Sequence, residues 1–251
     1  MQAINQLAEW MQASNNTVFF GGAGVSTESG IPDYRSETGL YNSQLDYGYS
    51  PEVLLSHTVF ASNPELFFRY YRENLISLDA KPNKAHQALA TLEALGKLEA
   101  VITQNVDGLH QAAGSQNVLE LHGSNWQQYC VDCGKNYSLD FILDPAQNTN
   151  GVPRCDNCGG IVRPRVVLYE EQLDPETMQA AISAITACEL LIVGGTSLSV
   201  YPAAGLVRYF GGENLVLINL SETPFDSLAQ LVINQSIGTV LDDALSLMLL
   251  A

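Results

Sequence analysis

Four of the five cysteines in this 251-residue chain fall in two Cys-x-x-Cys pairs, Cys130/Cys133 and Cys155/Cys158, separated by residues 134–154. Thiolates at this spacing converge on one tetrahedral zinc ion, and four of them close the coordination shell and leave no position for water. The expected metal is therefore one structural Zn2+. Gly134 and Gly159-Gly160 follow the pairs and suit the tight turns of such knuckles. Cys188 stands alone beside an apolar run and reads as a packing residue. His122 lies just upstream of the first pair, in LELHGSNWQQYCVDCG. Four sulfurs already complete the shell, so His122 is not needed as a ligand. At the end of an apolar run and next to glycine, it suits either general-base work or a structural hydrogen bond. His57 and His86 sit in or beside helical stretches and read as structural, and His110 falls on the same turn as Asp107.

Two glycine loops follow apolar strands. In GGAGVSTESG, Gly22 and Gly24 have the spacing of a loop that lets backbone N–H groups approach a pyrophosphate, but Thr27 stands where a third glycine would be. By itself this pattern also fits a plain tight turn. No acidic residue ends a strand about twenty residues later, which disfavours a hydride-transfer dehydrogenase. The second loop, in CELLIVGGTSLSV, repeats the pattern as Gly-Gly-Thr-Ser. A third, TQNVDGLHQAAG, presents Gln104, Asn105 and Asp107.

The elements that must position these groups follow from periodicity. Strands are expected at 17–20, 98–103, 189–193 and 215–219, with a further apolar strand running into His122. Helices are expected around Ile4–Met11, from Pro64 to Leu78 with Asn63 as N-cap, over 85–95 closed by Gly96, and over 240–250. Continuous apolar strands alternating with helices predict an α/β fold with a parallel sheet covered on both faces. Residues 129–163 differ in character and read as an inserted module.

The formal net charge is −16, from 27 acidic and 11 basic side chains. Such a surface repels nucleic acid and tolerates a basic partner such as a lysine-bearing peptide. The N-terminal residues carry no basic and apolar leader pattern, and no apolar run reaches the length of a membrane span. A cytoplasmic protein with no membrane association is expected.

GAGVSTESGIPDYRS (22–36), TQNVDGLHQAAG (103–114), LHGS (121–124), the two cysteine pairs, GTSLSVYPAAGL (195–206) and INLSET (218–223) together resemble the sirtuins, the NAD-dependent protein deacylases. They occur in the family's order over about residues 19–237, in a short chain similar to bacterial members. The resemblance implies a Rossmann-like large domain of residues 1–36, 81–128 and 164–251. It implies a small domain made of a helical insertion, 37–80, and the zinc module, 129–163. NAD, as co-substrate, would lie between them. Ala23, Gly24, Thr27 and Arg35 would contact phosphates and ribose, Tyr34 the nicotinamide side, and Gln104 the ribose. Val106 and Asp107 would hold the carboxamide. Thr196, Ser197, Asn219 and Leu220 would line the adenosine end, with Ile237 near the adenine. An acetyl-lysine peptide would add as a strand against Val167, Leu168, Tyr169 and Glu170, with Val200 walling the acyl-lysine tunnel.

The implied reaction transfers the acetyl group to ADP-ribose, giving lysine, nicotinamide and 2′-O-acetyl-ADP-ribose. His122 matches the family's base, and Asn105 would position ribose or water. Three departures stand out. Tyr34 replaces the commoner Phe. Tyr169-Glu170-Glu171 replaces Phe-Gly-Glu, so that Glu170 adds a charge beside the peptide. Tyr70 and Tyr71 are followed by Glu73 and Asn74, where members preferring acidic acyl groups carry arginine, so short neutral acyl groups are expected. Mono-ADP-ribosyl transfer at the same site and non-catalytic NAD sensing are the alternatives. A monomer is expected.

Overall fold

The computed structural model describes residues 2–33 and 47–250. Its centre is a six-stranded, all-parallel sheet in the order β11-β10-β9-β1-β2-β3. The strands are β1 (Thr17–Gly21), β2 (Leu98–Thr103), β3 (Val118–Glu120), β9 (Leu190–Gly194), β10 (Asn214–Ile218) and β11 (Leu231–Ile233). Every residue of β1 and β9 is buried, because helices cover both faces. Alternate residues enter different cores. Phe19, Ile192 and Val216 pack with α1 (Gln2–Ala13), α5 (Lys84–Ala94) and α9 (Ile237–Leu250). Val18, Phe20, Leu191 and Leu217 pack with α8 (Pro175–Ala187) and the 3-10 turn Ala203–Tyr209. The α/β sheet expected from the sequence is the one that forms.

A third core joins two stretches that are distant in sequence. Leu54, Phe60, Phe67, Phe68, Tyr70 and Tyr71 pack with Cys130, Leu139, Ile142, Val152 and Val162. The first group lies on α2 (Pro51–Leu54), α3 (His57–Ser62) and α4 (Pro64–Asn74), and the second around α7 (Leu139–Leu143) and two small antiparallel sheets. One sheet has the order β5-β4-β8, from Asn136–Ser138, Gly123–Cys130 and Val162–Val166. The other pairs β6 (Asn148–Thr149) with β7 (Val152–Pro153). Arg72 fastens α4 to this region, donating to Ile142 O at 3.1 Å, Gly151 O at 2.7 Å and Asn148 Oδ1 at 2.6 Å.

Two helix limits differ from expectation for tertiary reasons. The α4 helix has the expected cap, Asn63 Oδ1 accepting from Leu66 N at 3.2 Å, but ends at Asn74 rather than Leu78. Asn125 Nδ2 donates to Leu75 O at 2.7 Å, so that carbonyl is used by a neighbour instead of a further helical turn. Conversely, α9 starts at Ile237 rather than Val240, because Glu28 accepts from Gly238 N at 2.9 Å and Ser236 Oγ at 2.7 Å. A carboxylate from a distant loop supplies the cap.

Candidate active site

Strand order reverses between β1 and β9, and in open α/β sheets ligands bind beyond the carboxyl ends of strands at such a point. Both glycine loops end there. Gly24 N donates to Gly195 O at 2.8 Å. A Cβ on Gly24 would stand 2.8 Å from Gly195 Cα, so neither loop has room for a side chain at the crossing. Ala23–Val25 and Thr27–Ser29 are short 3-10 turns, and Thr27 Oγ1 donates to Gly24 O at 3.0 Å.

The polar loop after β2 is tied to this crossing. Gln104 Nε2 donates to Thr196 Oγ1 at 3.0 Å. Ser26 Oγ donates to Asp107 Oδ2 at 2.7 Å and accepts from Asn105 Nδ2 at 3.0 Å. Asp107 Oδ1 also takes Leu109 N at 2.9 Å. From β4, Asn125 N donates to Val106 O at 2.9 Å and Trp126 Nε1 to Asp107 O at 2.7 Å. The indole lies against Gly108, at φ +75°, where a Cβ would come 2.5 Å from Nε1.

His122 follows β3 and opens onto the same edge. Its Nδ1 lies 2.8 Å from Gln104 O. A carbonyl only accepts, so Nδ1 carries the proton and the neutral ring keeps its lone pair on Nε2. Burial pushes the imidazole below its ordinary value, and the bond to Gln104 opposes that shift without reversing it. His122 is therefore neutral at pH 7 and able to accept a proton at one defined atom. His86 and His110 lie elsewhere, buried with ring centroids 4.7 Å apart, and His86 Nδ1 accepts from Asn83 N at 3.2 Å.

On the β10 side, Asn219 Oδ1 accepts from Thr196 N at 2.9 Å. Asn219 Nδ2 is buried and meets no partner among the described residues, which leaves a donor for a bound group. Ser197 and Leu220 are exposed beside it. Ile237 is buried, and its side chain fills the space that a Cβ on Gly194 would need. Tyr34 and Arg35 lie outside the described residues.

After β8, Val167 N donates to His122 O at 2.9 Å, Leu168 is buried and Tyr169 is partly exposed. Val200 is half-buried. One oxygen of the exposed Glu170 carboxylate accepts from Thr58 N at 2.9 Å and Thr58 Oγ1 at 2.7 Å.

The four cysteine sulfurs lie within 4.8 Å of one another, with Cys130–Cys158 at 3.5 Å and Cys133–Cys155 at 3.6 Å. Zn–S bonds of about 2.3 Å set tetrahedral S···S edges of about 3.8 Å, so the donor set fits zinc. The two knuckles match: Gly134 N donates to Cys130 O at 3.0 Å and Gly159 N to Cys155 O at 2.9 Å.

Residues 22–202 match the Sir2 family. A protein of Clostridium acetobutylicum named NAD-dependent protein deacetylase is 56% identical over 242 residues, covering 96% of this chain and 98% of that one. The chain belongs to the Sir2 family. A Clostridium perfringens protein of the same name is 59% identical over 239 residues, covering 95% and 96%. The solved structure described as Sir2-p53 peptide-NAD+ superposes with a TM-score of 0.88 at 40% identity, covering 99% of each chain. A Sir2 protein bound to a propionylated peptide gives 0.85 at 39%, covering 97% of each. In this Sir2 member, sequence reasoning passed over Ser26 and Trp126. Serine in GVSTE carries no signal until β1 and β2 are neighbours, and the role of Trp126 depends on β4 passing beneath Asp107.

Proposed function

We propose that this Sir2 protein is an NAD-dependent protein-lysine deacetylase acting on short neutral acyl groups, with His122 as general base. The observation that carries this reading is the Nδ1 bond from His122 to Gln104, which reserves Nε2 for catalysis beside the glycine loops. The support includes relatives named NAD-dependent protein deacetylase and structural neighbours holding acetylated or propionylated peptides.

NAD bound in the crevice supplies a ribose carbon that loses nicotinamide, together with the adjacent ribose hydroxyls. Gly24, Ala23 and Thr27 would approach the phosphates with backbone groups; the roles expected for Arg35 and Tyr34 fall outside the described residues. Val106 and Asp107 would hold the carboxamide, with Ser26 keeping the Asp107 carboxylate aimed. Gln104 would meet the ribose. Thr196, Ser197, Asn219, Leu220 and Ile237 would enclose the adenosine end, where Asn219 Nδ2 has a donor to offer. The acyl oxygen of acetyl-lysine would take nicotinamide's place on the ribose carbon, His122 Nε2 would take the proton of the ribose hydroxyl that adds to the acyl carbon, and a water, oriented with the ribose by Asn105, would release the lysine amine and leave 2′-O-acetyl-ADP-ribose. The peptide docks along 167–170, and Val200 and Leu168 exclude water from the acyl-lysine. Cys130, Cys133, Cys155 and Cys158 hold one structural zinc.

The division into a large domain (1–36, 81–128, 164–251) and a small one (37–80, 129–163) is supported by the third core, which joins the helical insertion to the cysteine module. Neutral acyl preference is supported by α4: Arg72 is committed to Ile142, Gly151 and Asn148, Arg69 stacks over Tyr47, and Asn74 Nδ2 returns to Tyr70 O. No described helix is long and apolar enough to cross a membrane.

The test is nicotinamide release from NAD with and without an acetyl-lysine peptide. Wild type is expected to show peptide-dependent release, and His122→Ala to lose about 10²–10⁴-fold in acetyl-ADP-ribose formation. Wild-type product yield from His122→Ala would overturn the base assignment. Turnover of a succinylated peptide equal to that of the acetylated one would overturn the neutral-acyl reading.

A further inference from the structure

The segment that follows β8 is bound on one side by two acidic residues with different partners. Glu171 receives Arg163 Nη1 at 2.6 Å and Nη2 at 3.0 Å, His57 Nδ1 lies 2.9 Å away, and Leu168 N donates to it at 2.9 Å. Arg163 is itself buried, and these bonds hold the Glu171 carboxyl well below its ordinary value. Backbone pairing adds to this: Tyr169 N donates to Leu55 O at 3.1 Å, His57 N donates to Tyr169 O at 3.0 Å, and Ser56 bridges Tyr169 in parallel.

Glu170 is the unusual member. Its φ of +77° is the left-handed conformation that favours glycine and that costs a side-chain-bearing residue on the order of 1 kcal/mol. A glutamate there needs a compensating interaction. The two Thr58 donors supply it, one of them a backbone N–H in the first turn of α3. Charge-assisted bonds of this kind exceed neutral ones in strength.

We propose that Glu170 and Glu171 form a two-point clasp between residues 168–171 and residues 55–58, and that Glu170 is a positioning residue for peptide affinity rather than for the chemical step. Glu171 anchors the segment to β8 and to His57. Glu170 fixes its outer end to α3, so the edge offered to a peptide is ordered before the peptide arrives. Pre-ordering lowers the entropic cost of adding a strand. The clasp rests on the peptide-docking reading of residues 167–170.

Glu170→Gly tests this, because glycine adopts φ +77° without strain and lacks the side chain that reaches Thr58. At saturating NAD it is expected to raise KM for an acetyl-lysine peptide about tenfold, the net worth of a charged hydrogen bond. The kcat at saturating peptide and the KM for NAD are expected to stay within about twofold, a split a general loss of structure would not give. Thr58→Val is expected to show a smaller rise in the same parameter. Glu170→Gln, which keeps an oxygen for Thr58, is expected to recover most of the affinity lost in Glu170→Gly. An unchanged peptide KM in Glu170→Gly, with wild type active, overturns the clasp alone. Wild type without peptide-dependent turnover overturns the deacetylase reading, and the clasp with it.

Discussion

Strand β1 buries all of Thr17–Gly21 and β9 all of Leu190–Gly194, whereas β5 in the cysteine module buries none of Asn136–Ser138. The sheet draws its stability from apolar side chains on two faces, each fully buried large one contributing roughly 1.5–3 kcal/mol. The module has one shared apolar core, which includes Cys130 and Cys155, and a four-sulfur cluster completed by the exposed Cys133 and Cys158. One region is held by area removed from water, the other by a coordination shell. The chain carries two fluorophores: Trp10 packs against the first sheet core, and Trp126 lies on β4, the strand that runs into the module.

That contrast predicts the largest effect for metal removal. Structural zinc sites bind with apparent free energies on the order of 10 kcal/mol. Chelation, or Cys130→Ala, is expected to release one zinc ion and open residues 129–163 to protease, while the Trp10 signal keeps its native transition. Unaltered protease resistance of that stretch after zinc loss would break the comparison.

On the sheet side, acid acts through two buried histidines. Burial depresses His86 to about 4, against the opposing pull of Asp107 and Glu28, and burial together with His86 depresses His110 to about 3. Unfolded histidines titrate near 6.5, so below that pH the unfolded chain binds more protons and stability falls. The loss starts near pH 6.5 and continues through the folded values. The urea midpoint read from Trp10 is expected to fall over this window, and His110→Phe to flatten the fall. An unchanged slope in His110→Phe would remove the histidines as the cause.

The smallest effect is a trimmed cap. Asn63→Ala deletes the acceptor for Leu66 N and is expected to cost about 1 kcal/mol, visible in the Trp126 transition and not in that of Trp10. Equal shifts in both would show the two regions melting as one unit.

The same contrast explains what the sequence revealed. The zinc site was legible in full, because its four ligands come as two local spacings that only one chemistry explains. The sheet was legible because strands covered on both faces are unbroken apolar runs. What stayed hidden depended on contacts between distant residues: Asn125 stopping α4 after Asn74, Glu28 starting α9 at Ile237, Ser26 joining Asn105 to Asp107, and Glu170 turning back to Thr58. Each is one hydrogen bond whose partner no periodicity announces. His122 stood between the two cases. Its position by a glycine at a strand end was suggestive, but the tautomer that leaves Nε2 open came only with the Gln104 carbonyl.

The bond from Gly24 to Gly195 has a further consequence, for synthesis. The first glycine loop leaves the ribosome early, yet β9, its neighbour in the sheet, is encoded near residue 190. Helices can form as the chain emerges, since their contacts are local, while contacts of such long separation form slowly and late. Until Gly195 is delivered, β1 has an open edge and the crevice has one wall. A nascent chain of this protein is therefore unable to hold its dinucleotide until Gly195 has been delivered.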